Sequence, residues 1–206
     1  FSDIVVSAVN GSGPGGSRPN TGAVHIIFGG TTLPSDIDLA DGTGVMIHGV
    51  TPLRVLGQFL DVADINGDGM LDLLISGDRE PDRTGTIDQA GRVYVEFGRT
   101  EWPAELDLAV DPDLVIYGAG DERAGPWLLG ASVTPGDLDL DGTSELIMAA
   151  TGAEPSLFRR EAGQIQVLRG RSAWPRVIDL AREPADIVVS GAKEYQNFGH
   201  YQCYVA

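Results

Sequence analysis

Two short stretches of the sequence place oxygen-bearing side chains at alternate positions within nine residues. In DINGDGMLD (residues 64–72) and in DLDLDGTSE (residues 137–145), acidic or amide side chains stand at the first, third, fifth and ninth positions. A glycine holds the sixth position of both stretches and permits the positive φ with which a chain can wrap an ion. Hard cations such as Ca²⁺ take about six to eight oxygen ligands, so the pattern is typical of a calcium loop.

The predicted ligands are side-chain oxygens, except at the seventh position, where a backbone carbonyl is expected. They are Asp64, Asn66, Asp68, Met70 (carbonyl) and Asp72 in the first loop, and Asp137, Asp139, Asp141, Thr143 (carbonyl) and Glu145 in the second. Mg²⁺ stays open as an alternative, as does an acidic turn that binds nothing. Two copies in one register favour Ca²⁺. With Cys203 as the single cysteine and no clustered histidines, zinc and copper sites are not expected.

Each acidic loop belongs to a unit of about 70 residues that recurs along the chain. Asp137 follows Asp64 by 73 residues, and GAVHIIFG recurs as GRVYVEFG and GQIQVLRG. Every unit holds about four short apolar stretches bounded by Gly, Pro, Asp or Asn, which are strand signals, and no segment keeps a helical period. Four strands in a regular repeat are typical of a β-propeller blade. A stack of sandwich modules is the alternative, but units of this length are short for it.

The repeats therefore predict an all-β fold, a β-propeller segment of four-stranded antiparallel blades with about three blades' worth of sequence. The predicted boundaries are a partial blade over residues 1–49 (strands 2 to 4), complete blades with a calcium loop over 50–118 and 119–191, and the start of a further blade over 192–206. Because propellers usually have about four to eight blades, we expect a segment of a larger ring. The open blade edges would then offer surfaces for self-association.

These motifs together resemble FG-GAP repeats. The resemblance is carried by the LG or FG pairs at Leu56, Leu129 and Phe198, by the D-x-[DN]-x-D-G-x-x-[DE] loop and by the apolar strand that follows it. FG-GAP repeats form the propeller of integrin α subunits and occur in bacterial secreted or surface proteins, and the WP…DLA motif is closer to the bacterial members. The resemblance implies Ca²⁺ between strands 1 and 2 of a blade and an extracellular or cell-surface location, with the periplasm as an alternative.

The resemblance also implies a ligand-binding face opposite the acidic loops, built from the loops that join strands 2 to 3 and strands 4 to 1. These loops hold eight of the fourteen basic residues: Arg18, Arg54, Arg79, Arg83, Arg123, Arg159, Arg160 and Lys193. A protein or glycan ligand, in particular an acidic one, is predicted to bind there, although charged residues also collect in loops that bind nothing. Trp127, in one of these loops, is a candidate aromatic contact.

The remaining features bear on the class of function. The net charge of −16 argues against a nucleic-acid partner, and no apolar stretch is long enough to predict membrane insertion. There is no nucleophile elbow, no zinc-protease motif and no phosphate loop. The sequence therefore predicts a calcium-binding adhesion or binding module and no enzyme. A purely structural repeat array of a large secreted protein and part of a propeller-fold enzyme stay open as alternatives.

Overall fold

The computed structural model describes residues 1–121, 125–156 and 158–200. Its regular structure in these ranges is β-strand apart from two short 3-10 helices, Pro14–Gly16 and Leu39–Asp41. No helix in the described ranges has the length and apolar character needed to cross a bilayer. The strands are β1 Ile4–Ala8, β2 Ala23–Ile27, β3 Val45–His48, β4 Leu60–Ala63, β5 Asp72–Gly77, β6 Arg92–Glu96, β7 Glu105–Asp107, β8 Leu114–Tyr117, β9 Gly120–Asp121, β10 Gly125–Pro126, β11 Leu129–Gly136, β12 Glu145–Ala150, β13 Gln164–Leu168, β14 Val177–Asp179 and β15 Ile187–Ser190.

Most of these strands form three antiparallel blades, in which neighbouring strands follow one another along the chain except where β7 and β14 intervene. The first blade is β1-β2-β3, the second is β4-β5-β6-β8 and the third is β11-β12-β13-β15. Among the described strands, the short β9 and β10 pair with each other and with no third strand. The predicted all-β fold of antiparallel propeller blades is confirmed. The last predicted segment falls partly on residues 201–206, which lie outside the described residues.

Two blades carry an outer parallel strand that the sequence pattern does not predict. β7 pairs in parallel with β3, with Met46 opposite Glu105, and β14 pairs in parallel with β8, with Val115 opposite Val177. Both β7 and β14 lie in the connection between the third and fourth strands of the blade that follows. The second and third blades therefore each contribute one strand to the sheet of the preceding blade.

The hydrophobic core lies between neighbouring blades. Along β5, Leu73 and Ile75 face the first blade, whereas Leu74 faces the third, because side chains alternate between the two faces of a strand. All six residues of β5 are buried, so both faces of the second blade are covered. This is why the centre of the strand, Leu73, Leu74 and Ile75, is apolar at three successive positions and does not alternate with polar residues.

The LG and FG pairs attach each blade to the one before it. The Leu129 amide donates to the carbonyl of Ala90 (3.0 Å), and Gly91 lies against the Leu129 backbone. A Cβ at Gly91 would stand 2.2 Å from Leu129 N and O, so only glycine fits. The same amide-to-carbonyl bond recurs at Leu56 with Thr21 (2.9 Å) and at Phe198 with Ala162 (3.0 Å).

Candidate metal centre

Each acidic loop joins the first and second strands of a blade, and the two loops lie side by side. Residues 64–72 lead from β4 into β5, and residues 137–145 lead from β11 into β12. The Ser144 amide donates to the carbonyl of Asp64 (2.9 Å), so the loops are joined directly. Together they gather seven carboxylates at one end of the two blades: Asp64, Asp68, Asp72, Asp137, Asp139, Asp141 and Glu145.

The first carboxylate of each loop organises the turn by accepting backbone hydrogen bonds. Asp64 accepts from the amides of Gly67 (2.6 Å) and Gly69 (2.8 Å). Asp137 accepts from the amides of Asp141 (3.1 Å) and Gly142 (3.0 Å). Bonds of this kind wrap the backbone around one carboxylate, and the two loops adopt the same wrapping because they share the same spacing.

The ninth residue of each loop is buried and connects the loop to the third strand of its own blade. Asp72 accepts from the amides of Ile65 (2.9 Å) and Gly98 (2.9 Å). Glu145 does the same with the amides of Leu138 (2.6 Å) and Gly170 (3.4 Å). The position of these carboxylates is thus set by the sheet as well as by the loop.

Burial and charge crowding act on the ninth carboxylate of the first loop. Burial raises the pKa of Asp72, and repulsion from Asp68 and Asp64 adds to the rise, while the Gly98 and Ile65 amides oppose it. A carboxylate in such surroundings is stabilised by a nearby positive charge. The first loop therefore has the electrostatics of a site for a cation.

The second loop brings its carboxylates closest together. Oxygen atoms of Asp137, Asp139 and Glu145 lie within 4.8 Å of one another, and they are the only such acidic group found among the described residues. Asp141 is not part of this group, and its carboxylate accepts from the Thr143 amide (2.8 Å). An all-oxygen donor set suits a hard cation such as Ca²⁺ and does not suit a soft one.

In the first loop, hydrogen bonds connect the predicted ligands to one another. The side-chain nitrogen of Asn66 donates to Asp68 (3.2 Å) and to Asp72 (3.5 Å), so the amide nitrogen faces the carboxylates. The Met70 amide donates to Asp68 (2.8 Å). Rotation of the Asn66 amide would present its oxygen instead, which a bound cation requires. The ligand roles of all ten residues, including the carbonyls of Met70 and Thr143, stay predictions.

On the opposite face, several of the predicted basic contacts are already engaged within the protein. Arg18 binds Asp107 (2.5 Å), Arg54 binds Asp88 (2.7 Å) and Arg159 donates to the carbonyl of Gly191 (3.0 Å). A longer ion pair joins Arg83 to Asp179 (3.9 Å), and Arg123 lies outside the described residues. Arg79, Arg83, Arg160 and Lys193 are exposed, and of these four Arg83 makes the long ion pair with Asp179. Trp127 is half-buried and packs against the core between the second and third blades.

A buried acid outside the acidic motifs lies near the first loop. Glu96 ends β6, and its carboxylate lies 3.0 Å from the Arg99 guanidinium, which also binds Asp113 and stacks on Trp102. Burial raises the pKa of Glu96 to about 8, and the neighbouring Asp113 contributes to the rise. Alignment of the repeat units could have revealed this group. The third blade keeps the equivalent Arg171, Asp186 and Trp174 but has Leu168 in place of the acid.

Comparisons with known proteins agree with the blade pattern. The family model for the FG-GAP repeat matches residues 56–95. The chain is 25% identical over 215 residues to a phosphatidylinositol-glycan-specific phospholipase D of Dictyostelium discoideum, and 27% identical over 214 residues to the protein of that name in Homo sapiens. It is 28% identical over 158 residues to integrin alpha-IIb of Mus musculus. These alignments cover 97%, 96% and 74% of this chain, respectively, and 21%, 22% and 14% of the relatives.

The prediction that no enzyme is involved is wrong in the light of these relatives. Two of the three are phospholipases D by name, and each aligns with nearly the whole chain. The chain spans about a fifth of their length, so their catalytic residues need not lie in the aligned part. Motifs absent from this chain therefore give no information on catalytic residues in the rest of those relatives.

Proposed function

Residues 56–95 are an FG-GAP repeat within a chain of propeller blades, and from this premise we propose that the two acidic loops bind structural Ca²⁺ in an extracellular or surface protein. The observation that carries the proposal is the pair of register-matched loops, which gather seven carboxylates side by side. The similarity to an integrin α subunit supports the location.

The proposed cation stabilises the blades and takes part in no reaction. The candidate ligands are Asp137, Asp139 and Glu145, whose oxygens already converge, with Asp141 and the Thr143 carbonyl completing the set. The first loop offers the equivalent set, Asp64, Asn66, Asp68, Asp72 and the Met70 carbonyl. Since the ninth residue of each loop is tied to its own third strand, binding there would hold the turn between the first two strands to the rest of the blade. Neutralising the carboxylates would also remove their mutual repulsion.

The direct test is calorimetric titration of Ca²⁺ into chelator-stripped protein, with Mg²⁺ as the comparison. Two sites and a higher melting temperature are expected. For a Kd of about 0.1 mM and about 1 mM Ca²⁺, each site adds about 1.4 kcal/mol to the free energy of unfolding. Absence of binding by both ions would contradict the proposal.

Variants separate a metal site from an acidic turn. Asp68→Ala and Asp141→Ala are each expected to lower the melting temperature in Ca²⁺ and to leave it nearly unchanged in chelator. Glu101→Ala removes an exposed carboxylate outside the loops and serves as the control. Equal losses in both buffers would assign the two aspartates to the turn alone, because hydrogen bonds to the backbone do not depend on the ion.

We further propose that the face opposite the acidic loops binds a protein or glycan ligand. The proposed contacts are Arg79, Arg160 and Lys193, which are exposed, because the other described arginines of these loops bind within the protein, including the exposed Arg83. The triple variant with glutamate at these positions is expected to lose binding on a glycan array or to an acidic protein. A variant with unchanged binding would exclude this basic set.

A second candidate function is supported by the two phospholipase relatives: the blades would form part of a phosphatidylinositol-glycan-cleaving enzyme. The supporting observation is that alignment with both proteins extends over nearly the whole chain. The chain is then expected to bind a solubilised glycosylphosphatidylinositol-anchored protein, and this binding should disappear when the anchor glycan is removed. Binding that ignores the glycan would count against this function.

A further inference from the structure

The chain contains two asparagines that are each followed by glycine, Asn10–Gly11 and Asn66–Gly67. Such a pair can lose ammonia without an enzyme, because the backbone nitrogen of the glycine can attack the side-chain carbonyl carbon of the asparagine. Glycine has no side chain to obstruct this attack. The two pairs share the dipeptide, so any difference in their reactivity comes from the groups that the fold places around them.

The nitrogen that would attack has a different partner in the two pairs. The Gly11 amide donates to the backbone carbonyl of Ala8 (2.7 Å), and a carbonyl accepts the hydrogen bond without taking the proton. The Gly67 amide donates to the carboxylate of Asp64 (2.6 Å), which is within the reach that general-base catalysis requires. The fold therefore places a base on the nucleophile of the second pair.

The side-chain amide of Asn66 is also held at both of its ends. Its oxygen accepts from the Asp68 amide (2.9 Å), and this donor stabilises the negative charge that develops on the oxygen during attack. Its nitrogen, the leaving group, lies beside the carboxylates of Asp68 (3.2 Å) and Asp72 (3.5 Å). The exposed Asn10 side chain has no hydrogen-bond partner among the described residues.

We propose that Asn66 is a site of self-catalysed deamidation, with Asp64 as the base. The Gly67 nitrogen bonds to Cγ of Asn66 and gives its proton to Asp64, and the C–N bond of the side-chain amide breaks. The proton departs with the amide nitrogen as ammonia, so Asp64 is regenerated and a cyclic succinimide joins Asn66 to Gly67. One water molecule then opens the ring and leaves an aspartate or an isoaspartate at position 66.

The conversion changes the third position of the first acidic loop, where the second loop has Asp139. The nitrogen that faces Asp68 and Asp72 is the atom that departs, and an oxygen takes its place in the aspartate product. The isoaspartate product instead lengthens the backbone by a methylene carbon and disturbs the turn around Asp64. These consequences for the loop rest on the proposed calcium site, whereas the deamidation itself does not.

The test is incubation of the 206-residue chain in chelator at neutral pH, with both pairs followed by mass spectrometry of protease digests. Asn66 should convert about tenfold faster than Asn10, the internal control, because only Asn66 has the base. In concentrated urea the two rates should become similar, because the fold no longer places Asp64.

Variants identify the base. Asp64→Asn should slow the conversion of Asn66 about tenfold and leave that of Asn10 unchanged. Asp137→Asn removes the equivalent carboxylate of the second loop, which has no asparagine, and should leave both rates unchanged. Circular dichroism and the unchanged Asn10 rate report whether each variant is folded.

Incubation in Ca²⁺ tests the link to the metal site separately. A cation held by Asp64 and the Asn66 oxygen would withhold both groups from the reaction, so conversion should be slower than in chelator. Fast conversion of Asn66 at the same rate in both buffers would support the deamidation and count against the calcium site. Equal rates for Asn66 and Asn10 in the folded chain, or an Asn66 rate unchanged by Asp64→Asn, would overturn the proposal.

Discussion

Replacing Glu96 with glutamine is expected to stabilise the protein at alkaline pH and to have little effect at acidic pH. The Glu96 side chain is fully buried, with Arg99 at 3.0 Å and the Asp113 amide donating to it at 3.2 Å. Burial raises its pKa from 4.5 to about 8, the Asp113 carboxylate adds to the rise, and Arg99 and the amide oppose it. Glutamine is neutral at every pH and keeps an oxygen for the Asp113 amide.

The magnitude follows from the two pKa values. Below about pH 4.5 the carboxyl is neutral in both folded and unfolded chains, so it has no effect on the pH dependence. Between pH 4.5 and 8 the unfolded chain releases the proton first, so stability falls as pH rises, by up to about 1.4 kcal/mol per pH unit. Above pH 8 the cost is complete, and we expect the glutamine variant to be about 3–5 kcal/mol more stable than wild type.

The assay is urea unfolding of both proteins at several pH values from 4.5 to 9, in metal-free buffer so that the acidic loops contribute equally. Glu101→Gln, at an exposed position, is the control and should follow wild type. Glu96→Leu tests the same reasoning with the residue that the third blade has there, Leu168. A stability difference between the glutamine variant and wild type that stays constant from pH 4.5 to 9 would refute the reasoning.

Three further predictions concern the loops. Leu140 is 87% exposed and has a φ of 61°, at the position where the first loop has Gly67. Leu140→Gly should therefore raise the free energy of unfolding by about 1 kcal/mol, and a lower melting temperature in thermal denaturation would contradict this. The Arg169 guanidinium lies 3.8 Å from the Asp139 carboxylate and would compete with a bound ion. Arg169→Ala should therefore tighten calcium binding by the second loop about two- to threefold in calorimetry, and an unchanged affinity would contradict this. Ile65→Ala should lower the free energy of unfolding by about 3 kcal/mol in urea, because it leaves a cavity beside the third blade. A decrease below about 1 kcal/mol would contradict this packing.

The sequence could predict the blades and the position of the acidic loops because their signals are local and repeated. Apolar stretches of strand length recur with the same turns between them, and Asp64 and Asp137 open loops of identical spacing. The blade boundaries and the ligand roles of the acidic loops stay predictions. The exclusion of an enzyme was wrong because it rested on motifs absent from a chain that spans only 21% of a relative that is a phospholipase D by name.

Contacts between blades were decided by the tertiary structure alone. Trp174 reaches the Ile65 carbonyl across 109 residues of sequence, and Arg18 reaches Asp107 across 89. The outer strands β7 and β14 exist because a neighbouring blade offers an edge, which the pattern of their own residues does not reveal. Periodicity in the sequence reports which side chains share a face of one strand. Which surface of a neighbouring blade those side chains contact is set by packing between segments that are distant in the sequence. A crevice beside Trp102, lined also by Phe28 and Leu71, is therefore visible only in the tertiary structure.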